Sequence, residues 1–477
     1  MSMKQFLQQS LLAGSLLISA AIAQQSVTLE DIWKTYSFFP KSAGEFRWMK
    51  DDRFYTVMET ENGKSFLVKY PVLGTAKPDT LIRPGALAVN GTQLTVADYE
   101  FSEDESKLVL KTEISPIYRR SWKAKTYVYS FKENKVMPIH GEDAVSYATF
   151  SPKADKIAYT ANQNLYYTDL STLKETAITT DGKENQIING STDWVYEEEF
   201  SFAQAFFWGP DGNQIAFYRF DESEVPEFSM TMYGGLYPKE QRFKYPKAGE
   251  KNSVVEIKVH DISAKKTTNI DIGPEKDQYI PRMFWSPVAS KLAVFRMNRL
   301  QTKLEILMAD PKTGKTQVDY TEEGSAYVEI ADNMFRFSDA NTYFLLSEKD
   351  GYNHIYQFSN GKQVQQITKG NWDVLEILSI DASKRTIFYL SAEDSPLEKQ
   401  LYSVSFDGKT KKKLSNGAGT HSVTLSSANT YFVDSYSSAN EPPRHALFET
   451  SSTKEVKLLE DNKALREKMK QFKLTQK

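Results

Sequence analysis

One motif recurs eight times between residues 47 and 425: an aromatic or apolar residue, a short polar turn, and a strand of alternating apolar residues. The copies begin at residues 47, 101, 150, 208, 285, 337, 380 and 425, and two examples are FSPKADKIAYT and WSPVASKLAVFRM. Most copies are followed by a second strand pair with an Asn, Asp or Gly turn, such as HIYQFSNGKQVQQIT from His354. Such turns supply the positive φ that tight hairpins need. The pattern therefore predicts that each unit forms two hairpins, that is, four antiparallel strands.

The spacing of the units indicates how they assemble. It averages about 54 residues, a little above that of known four-stranded blade repeats. One such sheet cannot bury both faces alone, whereas radial packing buries them and leaves only short edges. The sequence therefore predicts an all-β, eight-bladed β-propeller of four-stranded antiparallel blades with short terminal helices. A content of 28 Phe, 26 Tyr and 7 Trp also favours sheet. A pair of β-sandwiches would explain the strands but not one motif repeated eight times.

Both ends of the chain lie outside the repeat. We divide the sequence into an N-terminal arm with a helix at 24–45, the propeller at 46–457 and a C-terminal helix at 458–477. Thr28 is the expected N-cap of the first helix, because acidic residues follow in its first turn. In the second, capped by Asp461 or Asn462, one helical stripe is expected to carry Leu465, Met469 and Phe472. That stripe needs a partner surface, either the propeller or another domain.

Residues 1–23 have the pattern of a cleavable signal peptide. Lys4 gives the positive start, an apolar run covers Leu11–Ala21, and Ala21-Ile22-Ala23 is a small-x-small cleavage site. We therefore expect an exported protein, periplasmic or extracellular, with an uncleaved N-terminal membrane anchor as the lesser alternative. The chain has no cysteine, which excludes a disulfide scaffold and thiolate metal sites. A net charge of −3 gives no basic surface for nucleic acid.

Two unit spacings are longer than the rest. The additional residues fall at about 183–205 and 221–252. Long insertions in a repeat architecture form loops, often on the binding face. The sequence therefore directs the search for function to these two segments.

The first insertion contains Asp193-Trp194-Val195-Tyr196-Glu197-Glu198-Glu199, and the second contains Tyr245-Pro246-Lys247-Ala248-Gly249. With EKDGYNHIYQF from Glu348 and KGNWDVLEI from Lys369, these motifs strongly resemble the propeller of the dipeptidyl peptidase IV family of serine peptidases. The resemblance covers nearly the whole chain after the signal peptide. It implies an N-terminal propeller domain of the prolyl oligopeptidase clan.

The resemblance implies a substrate-binding site. In the family, two adjacent glutamates of the motif bind the free α-amine of the substrate, and they correspond to Glu198 and Glu199. A propeller arginine contacts the substrate backbone, and IYRRSW from Ile117 makes Arg119 the candidate, although Arg120 lies beside it. By itself a run of three glutamates is usually a solvated acidic surface; here aromatic residues flank it on both sides.

The chemistry of an ammonium group fits a pair of carboxylates. A peptide ammonium has three donors, and a charge-assisted bond in a partly dry pocket contributes about 1.5–3 kcal/mol. Neighbouring side chains point about 100° apart on a helix but to opposite faces of a strand. Convergence of both acids on one amine therefore favours a helical or irregular segment. A peptide without a free N-terminus would leave the acids unpaired and should be rejected.

The sequence holds no G-x-S-x-G nucleophile motif, and no metal cluster, Walker loop or dinucleotide fingerprint. Its five histidines lie within or beside repeat strands or loops, where ordinary structural roles are expected: His140, His260, His354, His421 and His445. We therefore expect no cofactor, no metal site and no catalytic residue here, and no hydrolysis by this chain alone. The catalytic α/β-hydrolase domain of the family is expected to be missing from it.

The resemblance thus implies a propeller that gates peptides and recognises their N-termini for a serine exopeptidase releasing dipeptides. The expected partners are peptide N-termini and a hydrolase on a separate chain, with a homodimer as a further possibility. One alternative is a non-catalytic module that binds peptides or proteins. Another is a relic without present function.

Overall fold

The computed structural model describes residues 24–44, 47–74, 76–141, 143–288 and 290–474. The predicted signal peptide, residues 1–23, lies outside the described residues. Eight antiparallel sheets follow one another along the chain, and neighbouring strands of each sheet are hydrogen-bonded in chain order. The prediction of an eight-bladed β-propeller with four-stranded blades is confirmed. Within the described ranges, no helix is both long and apolar enough to cross a membrane.

The first three blades are regular. Their strands are β1–β4 at Arg47–Trp48, Phe54–Glu61, Lys64–Pro71 and Asp79–Ile82; β7–β10 at Asp98–Phe101, Lys107–Pro116, Trp122–Ser130 and Lys135–Pro138; and β11–β14 at Ser146–Phe150, Lys156–Ala161, Asn164–Asp169 and Lys174–Ala177. A small hairpin, β5 at Ala88–Val89 and β6 at Thr92–Gln93, lies between blades 1 and 2. Middle strands such as β12, where five of six residues are buried, pack between neighbouring blades.

Blade 4 differs because its first strand is interrupted. Both β15 (Ile187–Asn189) and β16 (Phe206–Trp208) pair with β17 (Gln214–Asp221), and helix α2 (Trp194–Glu199) occupies the connection between them. The blade continues with β20 (Val254–Asp261) and β21 (Lys266–Ile270). A separate hairpin, β18 at Glu227–Met232 and β19 at Lys239–Lys244, interrupts the path from β17 to β20. Both predicted insertions therefore emerge from blade 4.

The last four blades return to the regular pattern. Their strands are β22–β25 at Gln278–Trp285, Leu292–Asn298, Lys303–Ala309 and Thr316–Glu323; β26–β29 at Phe335–Phe337, Thr342–Ser347, His354–Ser359 and Lys362–Gln366; β30–β33 at Val374–Asp381, Thr386–Ser391, Gln400–Ser405 and Lys411–Lys413; and β34–β37 at Thr420–Leu425, Tyr431–Ser437, Arg444–Glu449 and Glu455–Glu460. The largest apolar cluster runs through blades 4 to 7.

Among the described strands, those of blade 1 and of blade 8 each pair only within their own sheet, and side chains close the ring between the two blades. The Asp52 carboxylate accepts the Ser426 hydroxyl at 2.6 Å and the backbone N–H groups of Ala428 at 3.1 Å and Thr430 at 3.2 Å. Trp48 stacks on Tyr431 with ring centroids 6.4 Å apart. Side-chain packing and a buried carboxylate therefore hold the first and last blades together.

The two termini form one unit. Helix α1 spans Leu29–Trp33 with the predicted Thr28 N-cap, which forms a capping box with Asp31. Helix α3 spans only Lys463–Met469, so the expected single helical stripe is wrong at Phe472. Phe472 is buried after the helix, in edge-to-face contact with Phe38 at 4.9 Å.

Asn462 stands at the N-cap position of α3 but does not cap it with its side chain. Its side chain instead accepts the backbone N–H of Lys41 at 2.8 Å and donates to the carbonyls of Lys41 and Pro443. The chain beside Phe472 also pairs with the N-terminal arm, because Gln25 donates its N–H to the Gln471 carbonyl at 2.8 Å. The arm thus provides the partner surface of the C-terminal segment.

Candidate functional site

Helix α2 is fixed at its start by a buried acid. Asp193 is the N-cap: one carboxylate oxygen accepts the Tyr196 N–H at 2.9 Å and the other accepts the Ser253 hydroxyl at 2.6 Å. Burial raises the pKa of Asp193, and these two bonds partly oppose that rise. Capping satisfies a backbone donor that a helix start would otherwise leave free. The cap also ties the first insertion of blade 4 to the segment that follows the second insertion.

An aromatic anchor holds the middle of α2. Tyr196 is almost fully buried, and its hydroxyl accepts the backbone N–H of Ile280 in blade 5 at 2.8 Å. Its ring meets those of Phe200 and Phe220 at 5.0 Å and 4.9 Å. Interactions of aromatic pairs add to the effect of burial itself. Packing against the core therefore holds the helix in place, since a helix of six residues has little stability of its own.

The next residue ties the helix to a distant blade. Glu197 is only 2% exposed, and its Oε1 accepts the backbone N–H groups of Arg120 at 2.7 Å and Ser121 at 2.8 Å. Arg120 and Ser121 lie in the turn between β8 and β9 of blade 2. A carboxylate that accepts two backbone N–H groups makes strong charge-assisted bonds. Glu197 thus links blade 4 to blade 2 across blade 3.

Blade 2 supplies an unusually long hairpin for this contact. Strands β8 and β9 have 10 and 9 residues, and the last four residues of β8 are exposed. The register shifts between Thr112 and Ser115, and Glu113 has a φ of 51°. Such a β-bulge bends a strand and redirects the side chains beyond it. The bend lies just before the turn that carries the two candidate arginines.

The structure brings together two of the three predicted site residues. Arg119 Nε lies 3.0 Å from a carboxylate oxygen of Glu198, whose side chain is 19% exposed while that of Arg119 is 72% exposed. Arg120 instead donates from Nη2 to the Ser201 hydroxyl at 2.9 Å. Of the two neighbouring arginines, Arg119 is therefore the one paired with Glu198.

Glu199, the third predicted residue, ends α2 and is exposed. Within the described ranges its carboxylate has no hydrogen bond or ion pair. The segment is helical, as the argument from two converging acids favoured. The three glutamates therefore have three surroundings: Glu197 is buried against backbone, Glu198 is half-buried beside a guanidinium, and Glu199 faces solvent.

This arrangement can bind a cation with several donors. Only the arginine of the Arg119–Glu198 pair is well exposed. Ion pairs at the surface contribute about 0–1 kcal/mol to stability, so the partners of this one can be exchanged at little cost. The free Glu199 carboxylate and the second oxygen of Glu198 are available as acceptors. As for metals, no group of three or more His, Cys, Asp or Glu side chains in the described part of the chain could hold an ion.

Comparison with known proteins supplies the family. The family profile described as "Dipeptidyl peptidase IV (DPP IV) N-terminal region" matches residues 102–443, a range that includes α2 and the β8–β9 turn. The chain belongs to the dipeptidyl peptidase IV family. The family suggested by the sequence motifs is therefore confirmed.

Curated relatives agree. The dipeptidyl peptidase 4 of Trichophyton equinum is 30% identical over 397 residues, which is 79% of this chain and 51% of the relative. A probable dipeptidyl-aminopeptidase B of Botryotinia fuckeliana is 27% identical over 456 residues, or 86% of this chain and 49% of the relative. The chain thus spans about half the length of the curated relatives it matches.

A solved structure in the dipeptidyl peptidase IV family has the same architecture. The crystal structure of Porphyromonas gingivalis dipeptidyl peptidase 4 matches with a TM-score of 0.87 and 34% identity, covering 94% of this chain and 64% of that one. A putative dipeptidyl aminopeptidase IV from Bacteroides ovatus matches with a TM-score of 0.72 at 24% identity, covering 92% and 62%, and supports the fold alone.

Sequence reasoning missed the role of Glu197. The motif suggested a function for Glu198 and Glu199 but none for Glu197, which precedes them. No property of the residue itself distinguishes Glu197, because its partners are backbone groups 76 and 77 residues away. Within the dipeptidyl peptidase IV propeller, Glu197 fixes the turn that carries Arg119 relative to the helix that carries Glu198.

Proposed function

We propose that this propeller recognises the free N-terminus of a peptide. Glu198 and Glu199 bind the α-ammonium group, and Arg119 binds a backbone carbonyl of the same peptide. The observation that supports this most strongly is the 3.0 Å contact between Arg119 and Glu198, which joins the two motifs at the end of α2. Family membership and the names of the relatives as dipeptidyl peptidases agree with this role.

The reaction served by this site is the release of N-terminal dipeptides. The propeller holds the ammonium group at a fixed distance from the nucleophile of an α/β-hydrolase domain, so that cleavage falls after the second residue. That domain either belongs to the same longer protein or is a separate chain. The propeller also gates access, because a substrate must present a free amine to bind.

Calorimetry with the dipeptide Ala-Pro tests the proposed site. Glu198→Gln and Glu199→Gln should each reduce affinity about tenfold or more, because each removes a charge-assisted bond. Glu224→Gln is a matched control, since Glu224 is an exposed acid of the same blade whose partner is Lys251. Equal affinity in all three variants would contradict the proposed site. Binding of blocked and free peptides alike would favour a general peptide-binding module instead.

We also propose export with cleavage after Ala23, as the signal-peptide pattern of residues 1–23 suggests. Mass spectrometry of the protein recovered from an exporting host should find an N-terminus at Gln24. Recovery of the protein with residues 1–23 still attached would favour the membrane-anchor alternative.

We further propose a homodimer formed through the β18–β19 hairpin. Tyr233, Leu236 and Tyr237 at its tip are 82%, 92% and 79% exposed. An isolated two-stranded hairpin is at best marginally stable in water, so a projecting one benefits from a partner surface. Large apolar side chains grouped on such a projection are typical of association between protein chains. The partner proposed is a second copy of this chain.

A further inference from the structure

A cavity of about 770 Å³ lies beside α2, separate from the proposed N-terminus site. Its walls come from the β8–β9 turn, the β12–β13 turn, the segments on either side of β15, the residue after β17, and strand β19. Blades 2, 3 and 4 therefore all contribute to it. Glu198, Glu199 and Arg119 are not among its lining residues.

The charges that line the cavity are predominantly acidic. Five carboxylates line it against Lys123, Arg242, Lys244 and one histidine, His140. Two of the carboxylates, Asp193 and Glu197, already accept two hydrogen bonds each within the protein. Two others, Asp143 and Glu184, are exposed at the rim. The fifth is Glu222.

Glu222 is 6% exposed, and its carboxylate makes no hydrogen bond or ion pair with the described residues. Lys244, the basic side chain that lowers the pKa of Glu222, does not satisfy it, because Lys244 Nζ donates to the Val225 carbonyl at 2.8 Å. Buried polar groups in proteins nearly always have a partner, and an exception requires an explanation. A carboxylate in this position is ready to accept bonds from a ligand.

The other walls indicate the kind of ligand. Tyr118 and Phe243 pack with ring centroids 5.9 Å apart and join blade 2 to the β18–β19 hairpin, and Trp194 lies at the first position of α2. All three rings line the cavity. Aromatic faces attract cations and cover methylene groups. A metal ion would need several hard ligands together, and the described residues offer no such group.

We propose that this cavity is a second binding site, which takes an alkylammonium group against the Glu222 carboxylate. The group is either the side chain of a lysine in a peptide or one end of a free polyamine. The ammonium lies at Glu222, and the attached methylene chain lies against the aromatic walls. The site is independent of the proposed N-terminus site and does not rest on it.

Binding at this site depends on pH. The pKa of Glu222 is raised to about 7, mainly by burial; Asp193, Asp221 and Glu184 contribute to the rise, and Lys244 opposes it. Tyr118 lines the same cavity from the β8–β9 turn, and burial, with smaller contributions from Glu222, Glu197 and Glu184, raises the pKa of its phenol. An alkylammonium needs the ionised carboxylate, so affinity should increase as the pH rises from 6 to 8.

Two probes with complementary chemistry test the proposal by calorimetry on the full chain at pH 8. N-acetyl-lysine-N-methylamide carries a side-chain ammonium but no free α-amine, whereas Ala-Pro carries a free α-amine but no basic side chain. Glu222→Gln should weaken the lysine probe about tenfold and leave Ala-Pro unchanged. The double variant Glu198→Gln/Glu199→Gln should weaken the binding of Ala-Pro and leave that of the lysine probe unchanged. Cadaverine is tested in parallel. Tighter binding of cadaverine than of the lysine probe would identify the ligand as a free polyamine, and the opposite order would identify it as a lysyl side chain.

The proposal is overturned if neither cadaverine nor the lysine probe binds the wild type at pH 8, or if Glu222→Gln binds them as well as the wild type does. Loss of the lysine probe in the Glu198/Glu199 variant alone would assign that probe to the N-terminus site and also overturn it. If Glu222→Gln fails to fold, the wild type still provides a test. Its affinity for the lysine probe must rise between pH 6 and pH 8, and a flat profile contradicts the proposal.

Discussion

Blades 4 and 6 contain the same four-stranded path but use their connections differently. Blade 6 runs from residue 335 to 366 with short connections, whereas blade 4 runs from 187 to 270 and adds α2 and the β18–β19 hairpin. Both blades contribute to the same apolar cluster. The polar groups that we assign to binding lie on the additions of blade 4 and on the β8–β9 turn. On the proposed assignment, the residues that stabilise the ring are different from those that bind the peptide.

The largest expected effect is in the regular blade. Phe335 is fully buried, and its ring lies 4.8 Å from that of Tyr343 and 5.1 Å from that of Phe284. Phe335→Ala should reduce the free energy of unfolding by about 3–5 kcal/mol, measured by urea unfolding. Val364→Ala, on an exposed outer strand of the same blade, is the control and should change it by less than about 0.5 kcal/mol.

If the comparison between the blades is right, Phe335→Ala leaves the affinity of the folded protein for Ala-Pro unchanged. A large loss of affinity without a loss of stability would mean that blade 6 takes part in recognition.

The second effect is a pH-dependent difference at Glu222 in blade 4. Its pKa in the folded protein is about 7, above the ordinary value of 4.5, so the folded state retains a proton that the unfolded chain releases between those values. The contribution of Glu222 to wild-type stability should therefore fall as the pH rises from 4.5 to 7. Glu222→Gln lacks this titration, and its stability relative to wild type should increase by about 3 kcal/mol between pH 4 and pH 8.

Thermal unfolding of Glu222→Gln and wild type across that pH range measures the difference. Parallel curves of stability against pH for the two proteins would show that burial does not raise the pKa of Glu222. Glu224→Gln, at an exposed position nearby where the hydrogen bond with Lys251 lowers the pKa of the carboxyl, should show no such increase relative to wild type.

The architecture could be predicted from sequence because its signals are local. Alternating apolar residues and turn residues mark each hairpin, and eight copies reinforce one another. The division of the first strand of blade 4 into β15 and β16 could not be predicted, because it depends on which residues pair with β17. The end of α3 before Phe472 could not be predicted for a related reason. Phe472 packs against Phe38, which is far away in sequence, and lies beyond the end of the helix.

The sequence proposed residues for the site but could not predict their environment. The motif suggested Glu198, Glu199 and Arg119, and the structure places the first and last of these in contact. Sequence alone could not choose firmly between Arg119 and Arg120, since their partners, Glu198 and Ser201, come from another blade. Nor could it identify Glu222 as buried, because the walls around it come from three blades.

The third effect concerns the link between blades 2 and 4. Glu197→Ala leaves two N–H groups of the β8–β9 turn without their acceptor, which should cost about 1–3 kcal/mol of stability. Because the turn also carries Arg119, the affinity of the folded protein for Ala-Pro should fall as well.

Glu197→Gln is the matched control, since its amide oxygen can accept both N–H groups and should preserve most of the affinity. A purely structural role would reduce the unfolding free energy of Glu197→Ala but leave its calorimetric affinity for Ala-Pro intact. That result would show that Glu197 does not position Arg119 for binding.

The smallest effect on stability is expected at the tip of the β18–β19 hairpin. Leu236→Asp should change the free energy of unfolding by less than about 0.5 kcal/mol, because Leu236 is 92% exposed. It should nevertheless convert the proposed dimer to a monomer, as measured by sedimentation velocity. Leu397→Asp, at an 89% exposed leucine on blade 7, is the control and should leave the dimer intact. A monomeric wild type would contradict the dimer.

Recognition of a free amine at the end of α2 is the central claim, and one calorimetric comparison tests it directly. The wild-type chain is titrated with Ala-Pro and with N-acetyl-Ala-Pro under identical conditions. The account predicts at least tenfold tighter binding of the free dipeptide, because acetylation removes the charged donor that Glu198 and Glu199 accept. Equal affinity for the two peptides would contradict it.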